Sequence, residues 1–121
     1  MENSESPITP GMSYNLNLEE IVELRKKSLE GDAEASKRLW LFYEFTTGEY
    51  DKAAVWLTKA AEQGLADAQY NLAFDFSRPE GPRYDLEKAK YWAAKAVNSG
   101  EALASRLLED IRKIEDSGDH N

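Results

Sequence analysis

The feature that most constrains the fold is an internal repeat whose copies begin at three glycines. The segments that follow Gly31, Gly64 and Gly100 align with one another at offsets of 33 and 36 residues. Each has alanine two and four residues after the glycine, and leucine eight residues after it. Such a period is typical of proteins whose units bury a core only by stacking on their neighbours.

A second kind of segment recurs at an offset of 36 residues and completes the repeat unit. Five positions are identical in both copies: Ala53, Trp56, Lys59, Ala60 and Gly64 match Ala89, Trp92, Lys95, Ala96 and Gly100. Ala53, Trp56, Leu57 and Ala60 are spaced i, i+3, i+4 and i+7, so they share one face of a helix. Both kinds of segment therefore predict amphipathic helices, with the two tryptophans in the core.

Capping residues set the expected helix boundaries. Asn17 and Glu20 have the spacing of a capping box, and Asp51 and Asp85 are expected to cap later helices. The three repeat glycines are suited to the left-handed position that ends a helix. The prediction is an all-α fold of about six helices, at residues 18–30, 33–46, 51–63, 66–77, 85–99 and 102–115.

The length of 121 residues suits one domain, because two domains would each be too small to bury a sufficient core. We expect that domain at residues 15–115, between a flexible tail at 1–14 and a second tail at 116–121. No stretch approaches the roughly 20 apolar residues of a membrane helix, and the first residues lack the regions of a secretory signal. These features predict a cytoplasmic protein that does not bind membranes.

The charge and the rare residue types exclude several classes of function. Lys and Arg number 15 against 23 Asp and Glu, a net charge of −8 that disfavours binding to nucleic acid. The chain has no cysteine and a single histidine, His120, so thiolate sites and Ser-His-Asp triads are excluded. Acidic residues near two connections fit no calcium loop. We expect no enzymatic activity, no cofactor and no metal site.

The repeat resembles the Sel1-like repeat family, a relative of the tetratricopeptide repeat. The matching residues of the first copy are Ala33, Ala35, Leu39, Tyr43, Lys52, Ala53, Trp56, Lys59, Ala60, Ala61 and Gly64. A second copy runs from Ala66 to Gly100, and the first helix of a third follows. The resemblance implies an α/α superhelix, a right-handed solenoid of about six antiparallel helices whose terminal helices act as caps. Family members usually bind other proteins on the concave surface and are not normally enzymes.

The resemblance also assigns that concave surface to the first helix of each pair. Transferred position by position, it predicts a protein-binding face of Lys37, Leu41, Glu44, Phe45, Asp67, Tyr70, Phe74, Arg78, Arg106 and Glu109. Phe45 and Phe74 could instead pack against the capping helices. Trp40 replaces the family's glycine, so it is either a core wedge, which we favour, or an exposed anchor, and it should open the packing between helices.

Two functions fit this interpretation. The first is a small acidic cytoplasmic inhibitor, such as an immunity protein that occludes a basic bacterial toxin, because opposite charges accelerate association. The alternative is a general adaptor or scaffold for the assembly of a protein complex. A homodimer is possible in either case, since an incompletely capped stack can bury its end against a second copy.

Overall fold

A computed structural model describes residues 14–118 of the chain. This range contains six α-helices, one π-helical turn and no strand. The elements are α1 (Leu18–Leu29), α2 (Ala33–Phe42), the π-helical turn (Tyr43–Thr47), α3 (Tyr50–Glu62), α4 (Ala66–Ser77), α5 (Leu86–Asn98) and α6 (Ala102–Gly118). Each helix packs against the next one along the chain. The predicted all-α helical repeat is therefore confirmed.

Local capping explains where the helices begin and end. The Asn17 side chain accepts a hydrogen bond from the Glu20 amide at 2.8 Å, and the Glu20 carboxylate accepts one from the Asn17 amide at 2.9 Å. Gly31, Gly64 and Gly100 follow the ends of α1, α3 and α5 with φ angles of 104°, 100° and 96°. Glycine adopts this left-handed conformation at little cost, so every hairpin of the stack starts at the same kind of turn.

Two predicted boundaries in the first repeat are wrong. The sequence predicts a regular helix through residue 46, but α2 ends at Phe42 and a π-helical turn follows. This wider turn accompanies the burial of two adjacent rings, Phe42 and Tyr43, whose centroids lie 5.0 Å apart. Asp51, predicted to cap α3, lies within its first turn. The helix starts earlier because Gly48 is left-handed and the Tyr50 amide donates to its carbonyl at 3.1 Å.

The end of the last helix also differs from the prediction. Helix α6 continues to Gly118, so residues 116–118 are helical and do not begin a tail. Lys90 of α5 donates to the Glu115 carboxylate at 3.1 Å, which ties the last turns of α6 to α5. Tyr14 is the only residue of the predicted N-terminal tail among the described residues. Residues 1–13 and 119–121, including His120, lie outside the described part.

The repeated alanines lie where helices cross. Six alanines of α3, α4 and α5 have no exposed surface at all, and their small side chains allow neighbouring helices to approach closely: Ala60, Ala68, Ala73, Ala89, Ala93 and Ala96. Leu39, Leu72 and Ile111 are the largest apolar side chains in this fully buried class. The core is therefore built from the positions that define the repeat.

A buried polar network fixes α1 to the first complete hairpin. The Ser28 and Ser36 hydroxyls lie 2.7 Å apart, and Ser36 donates to the Gln63 side-chain oxygen at 2.6 Å. The Gln63 amide group in turn donates to the Ser28 carbonyl at 2.8 Å. Because a hydroxyl has one hydrogen to donate, Ser28 must be the donor to Ser36. These bonds join α1, α2 and α3 at a defined register, since buried polar atoms require partners.

The three tryptophans occupy different environments. Trp40 is buried, with 7% of its surface exposed, so the favoured interpretation of this residue as a core wedge is confirmed. Trp56 and Trp92, which the repeat pattern places in the core, are only partly buried and pack against its outside. The guanidinium of Arg25 covers the Trp56 ring at 5.9 Å. Neighbouring helices thus leave an edge of these rings near the surface.

Candidate functional site

A groove of about 650 Å³ opens between α2, α3 and α4. The π-helical turn after α2 and the loop after α4 extend its two walls, and α3 lies between them. Thirteen residues line it: Trp40, Glu44, Phe45, Tyr50, Asp51, Ala54, Leu57, Asn71, Phe74, Asp75, Arg78, Pro82 and Arg83. Its volume falls within the range of established ligand pockets.

The groove exists because α2 and α4 do not pack closely. Helix α4 packs against α5 and also against α6, whereas α2 and α4 are not among the helix pairs with extensive contact. Lys37 of α2 and Asp67 of α4 bridge the two helices at 2.6 Å. The bulky Trp40 follows Lys37 by one turn of α2, whereas α4 has Ala73 at the equivalent position. That Trp40 opens the packing between helices stays a prediction.

Three aromatic side chains project into solvent around the groove. Phe45 is 65% exposed, Tyr50 61% and Phe74 48%. Phe45 contacts the ring of Tyr14, with centroids 5.7 Å apart, but neither it nor Phe74 is buried by a capping helix. Large exposed apolar groups gathered in a concave surface are characteristic of interaction sites.

The charged groups of the groove divide into paired and unpaired ones. Arg83 forms an ion pair with Asp75 and donates to the Tyr50 carbonyl at 3.3 Å, which ties the loop after α4 to the start of α3. Arg78 pairs with Glu80 at 3.6 Å. The carboxylates of Glu44 and Asp51 form no ion pair with any residue in 14–118. Across that same range, no three potential ligands converge as a metal site requires.

Glu44 occupies an unfavourable position for a charge. Partial burial raises the pKa of Glu44 above its usual 4.5, and the nearby negative charge of Asp75 raises it further. The positive charge of Arg83 and the nearby indole of Trp40 lower the pKa but do not cancel these effects. The groove therefore contains a carboxylate whose negative charge is incompletely compensated.

Replacing Glu44 with glutamine should flatten the pH dependence of stability. Because the folded-state pKa is raised, protonated Glu44 stabilises the fold at low pH, and this contribution is lost as pH rises above 4.5 through the raised pKa. Glutamine imitates the neutral form, so at neutral pH Glu44→Gln should equal or exceed the wild type, by less than about 1 kcal/mol. Denaturant unfolding over this pH range measures the effect.

The control for this variant is Glu109→Gln, which removes an exposed carboxylate from α6. It should leave the pH dependence as in the wild type. A Glu44→Gln protein that loses stability with rising pH as steeply as the control would contradict the assigned environment of Glu44.

The structure brings together only part of the predicted binding face. Glu44, Phe45, Phe74 and Arg78 line the groove. The other six residues are distributed over three places. Lys37 and Asp67 pair with each other, and the hydrogen bond with Asp67 raises the pKa of Lys37. Leu41 and Tyr70 are half-buried and outside the lining.

The last two predicted residues lie on the final helix. Arg106 and Glu109 are exposed on α6, and Arg106 pairs with Asp110 at 3.5 Å. Leu41 lines a separate cavity of about 170 Å³ with Tyr14, Leu16 and Arg38. The predicted face is therefore spread over the stack, and the groove is a more compact unit within it.

The sequence does not predict several groove residues, notably Tyr50, Asp51, Asp75 and Arg83. The family pattern counts only the first helix of each pair, and Tyr50 and Asp51 begin a second helix. The sequence holds one signal for Arg83: the loop at 77–84 lacks the family's glycine-rich form. Its unusual sequence accompanies the contact of Arg83 with Asp75 and with the backbone of Tyr50.

A second groove lies on another side of the molecule. It has a volume of about 550 Å³ between the end of α1 and the outer face of α3, where Leu29 and Val55 are exposed beside Trp56. This surface has an apolar lining and few charges, so it provides a comparison for the groove between α2 and α4. None of the helices within residues 14–118 combines the length and apolar character needed to cross a bilayer.

The chain is similar to several known proteins. No family profile matches the sequence, and no solved structure matches it significantly. The Sel1-repeat-containing protein YjcO of Escherichia coli K12 is 52% identical over 54 residues, 45% of this chain and 22% of YjcO. The chitin synthase regulator SKT5 of Malassezia restricta is 38% identical over 60 residues, half of this chain and 4% of SKT5.

A further relative matches most of the chain. The uncharacterized protein YibG of Escherichia coli K12 is 36% identical over 106 residues, which cover 85% of this chain and 69% of YibG. The shorter matches to YjcO and SKT5 support a Sel1-type repeat in part of the sequence. The extent of the match to YibG shows that the chain belongs to the same family as YibG.

Proposed function

We propose that this protein is a non-enzymatic module that binds another protein through the groove between α2, α3 and α4. The observation that carries the proposal is the set of three exposed rings, Phe45, Tyr50 and Phe74, around a groove of about 650 Å³. The similarity to a Sel1-repeat protein supports a helical repeat used for binding.

The composition of the groove resembles that of a protein interface. Aromatic side chains and arginine are enriched where proteins meet, and a few such residues usually supply most of the binding energy. Here Phe45 and Phe74 are offered by opposite walls, with Arg78 and Arg83 at the α4 side. A partner segment that lies between the walls would contact both rings at once.

The partner is proposed from charge. A protein of net charge −8 associates faster with a basic partner than with an acidic one. This favours a cytoplasmic inhibitor of a basic protein, of which an immunity protein that occludes a toxin is the specific case. A general adaptor is the alternative: it would bind several partners weakly, whereas an inhibitor would bind one partner tightly and stoichiometrically.

The proposal is tested by comparing two surface variants as baits in the native cell. The double variant Phe45→Ser with Phe74→Ser should lose at least about a hundredfold in affinity for the partner. Two hot-spot aromatics at about 2 kcal/mol each would give roughly a thousandfold if their contributions were additive, and such contributions are generally not. The matched control, Leu29→Ser with Val55→Ser, removes exposed apolar groups from the other groove. Mass spectrometry identifies the partner, and calorimetry measures its affinity.

The two baits give a clear decision. A protein retained by the wild type and the control, and lost by the Phe45 and Phe74 variant, is the expected result. If the partner is lost by the Leu29 and Val55 variant and kept by the other, the binding surface is the groove beside α1 and the proposal is wrong. Circular dichroism should show unchanged helicity in both variants, since all four side chains are exposed.

A further inference from the structure

We infer that the groove receives a basic side chain of the partner, an arginine or lysine flanked by apolar residues, which lies against the exposed rings and pairs with Glu44 and Asp51. This inference rests on the proposed function and specifies the chemistry of the segment that binds.

The groove has more negative than positive charges along its lining. Three carboxylates line it, those of Glu44, Asp51 and Asp75, together with Arg78 and Arg83. Both arginines already have acidic partners, Glu80 and Asp75 respectively. The groove charges without an ion-pair partner among the described residues are those of Glu44 and Asp51, and both are negative. A cation therefore complements the groove and an anion does not.

The aromatic rings around the groove are not covered by cations of the described residues. Elsewhere in residues 14–118 the protein places its own cations over ring faces, at 5.6 to 5.9 Å from Tyr43, Trp56, Phe76 and Tyr91. No such pair involves Phe45, Tyr50 or Phe74 in that range. Cations within about 6 Å of an aromatic ring are attracted by its negative face. The rings of the groove thus remain available for a cation supplied by a partner.

The carboxylate of Glu44 is partly removed from solvent. Its side chain is half-buried in the groove that Trp40 also lines, yet it has no cationic partner of its own within residues 14–118. Burying a charge without a partner is unfavourable. A guanidinium or ammonium group beside Glu44 would relieve this cost in the complex, so the interaction would be stronger than at an exposed carboxylate.

Blocked tripeptides test the inference even while the partner is unidentified. The probes are acetyl-Leu-Arg-Phe-amide, its lysine counterpart, and matched peptides with glutamine or glutamate in the middle. The indole N–H resonance of Trp40 and the amide resonances of residues 44–51 and 71–83 report binding at the groove. The arginine or lysine peptide should bind at least about tenfold more tightly than the glutamine peptide.

Two variants locate the charge that recognises the probe. Glu44→Gln with Asp51→Asn should remove most of the preference for the basic peptide, whereas Glu23→Gln, which removes an exposed carboxylate from α1, should not change it. Comparison of the arginine and lysine probes shows which cation the groove prefers, and either preference supports the inference. Added salt should weaken binding of the basic probes and leave the glutamine probe nearly unaffected.

Several outcomes would overturn the inference. They are equal binding of the basic and neutral peptides, a preference for the glutamate peptide, shifts confined to residues outside the groove, or no shift with any peptide at millimolar concentration. If a neutral apolar peptide binds the groove as tightly as the basic one, the charge assignment fails while the proposed function stands. Retention of the partner by the Phe45 and Phe74 variant would refute the proposed function itself.

Discussion

Replacing Leu72 with alanine should lower the free energy of unfolding by about 3–5 kcal/mol. Leu72 is 1% exposed and lies in the core shared by α2, α3 and α4. Truncating it removes apolar contacts and leaves a cavity in a stack where every helix depends on its neighbours. Because small domains have a total stability of about 5–15 kcal/mol, this single change should remove a large fraction of the stability.

Chemical unfolding followed by circular dichroism measures this loss. The matched control is Leu103→Ala on α6, where the same side chain is 61% exposed. The control should alter stability by no more than about 0.5 kcal/mol. Similar losses for both variants would mean that Leu72 does not lie in the interior, and the order in which the helices pack would be wrong.

Replacing Trp40 with alanine should lower the free energy of unfolding by about 3–5 kcal/mol, as expected for a buried aromatic side chain. Trp40 is 7% exposed and lies in the core cluster together with Leu57 of α3. Trp40→Phe should recover part of the stability, because a phenyl ring fills part of the space that the indole occupies. The loss in free energy of unfolding should therefore increase with the side-chain volume that is removed at position 40.

Trp56→Ala provides the contrast. Trp56 is a repeat residue, but it is only partly buried and lines the second groove, between the end of α1 and α3. Its replacement should cost less than that of Trp40, about 1–2 kcal/mol. Denaturant midpoints of the two variants decide the point. A greater loss at Trp56 than at Trp40 would contradict the assignment of Trp40 to the core.

The repeat pattern predicts the fold because its determinants are local. The repeat glycines, such as Gly64, end helices by a backbone preference that needs no distant contact, and Asn17 and Asp85 cap the helices that follow them. Alanine at the same position of each repeat copy, as at Ala60 and Ala96, indicates which face of the helix is buried. Each of these signals operates within one or two turns of helix, which is why six helices could be expected in order.

The groove depends on contacts that the repeat pattern does not contain. Its width follows from the spacing of α2 and α4, and its far end is closed by Arg83, which reaches Asp75 and the carbonyl of Tyr50, 33 residues away along the chain. The π-helical turn that presents Phe45 is a departure from regular helix. The family positions of the binding face therefore include Phe45 and Phe74 but not Tyr50. Tyr50 belongs to α3, a second helix of a pair, which the family pattern does not count.

Amide hydrogen exchange with and without the captured partner shows whether the groove between α2, α3 and α4 is the binding surface. Exchange should slow on binding in residues 40–45, 50–57 and 71–83, which contain the groove lining, and should not change near Leu29 in α1. Slower exchange confined to α1 and the outer face of α3, with these three segments unchanged, would contradict the assignment of the groove as the binding surface.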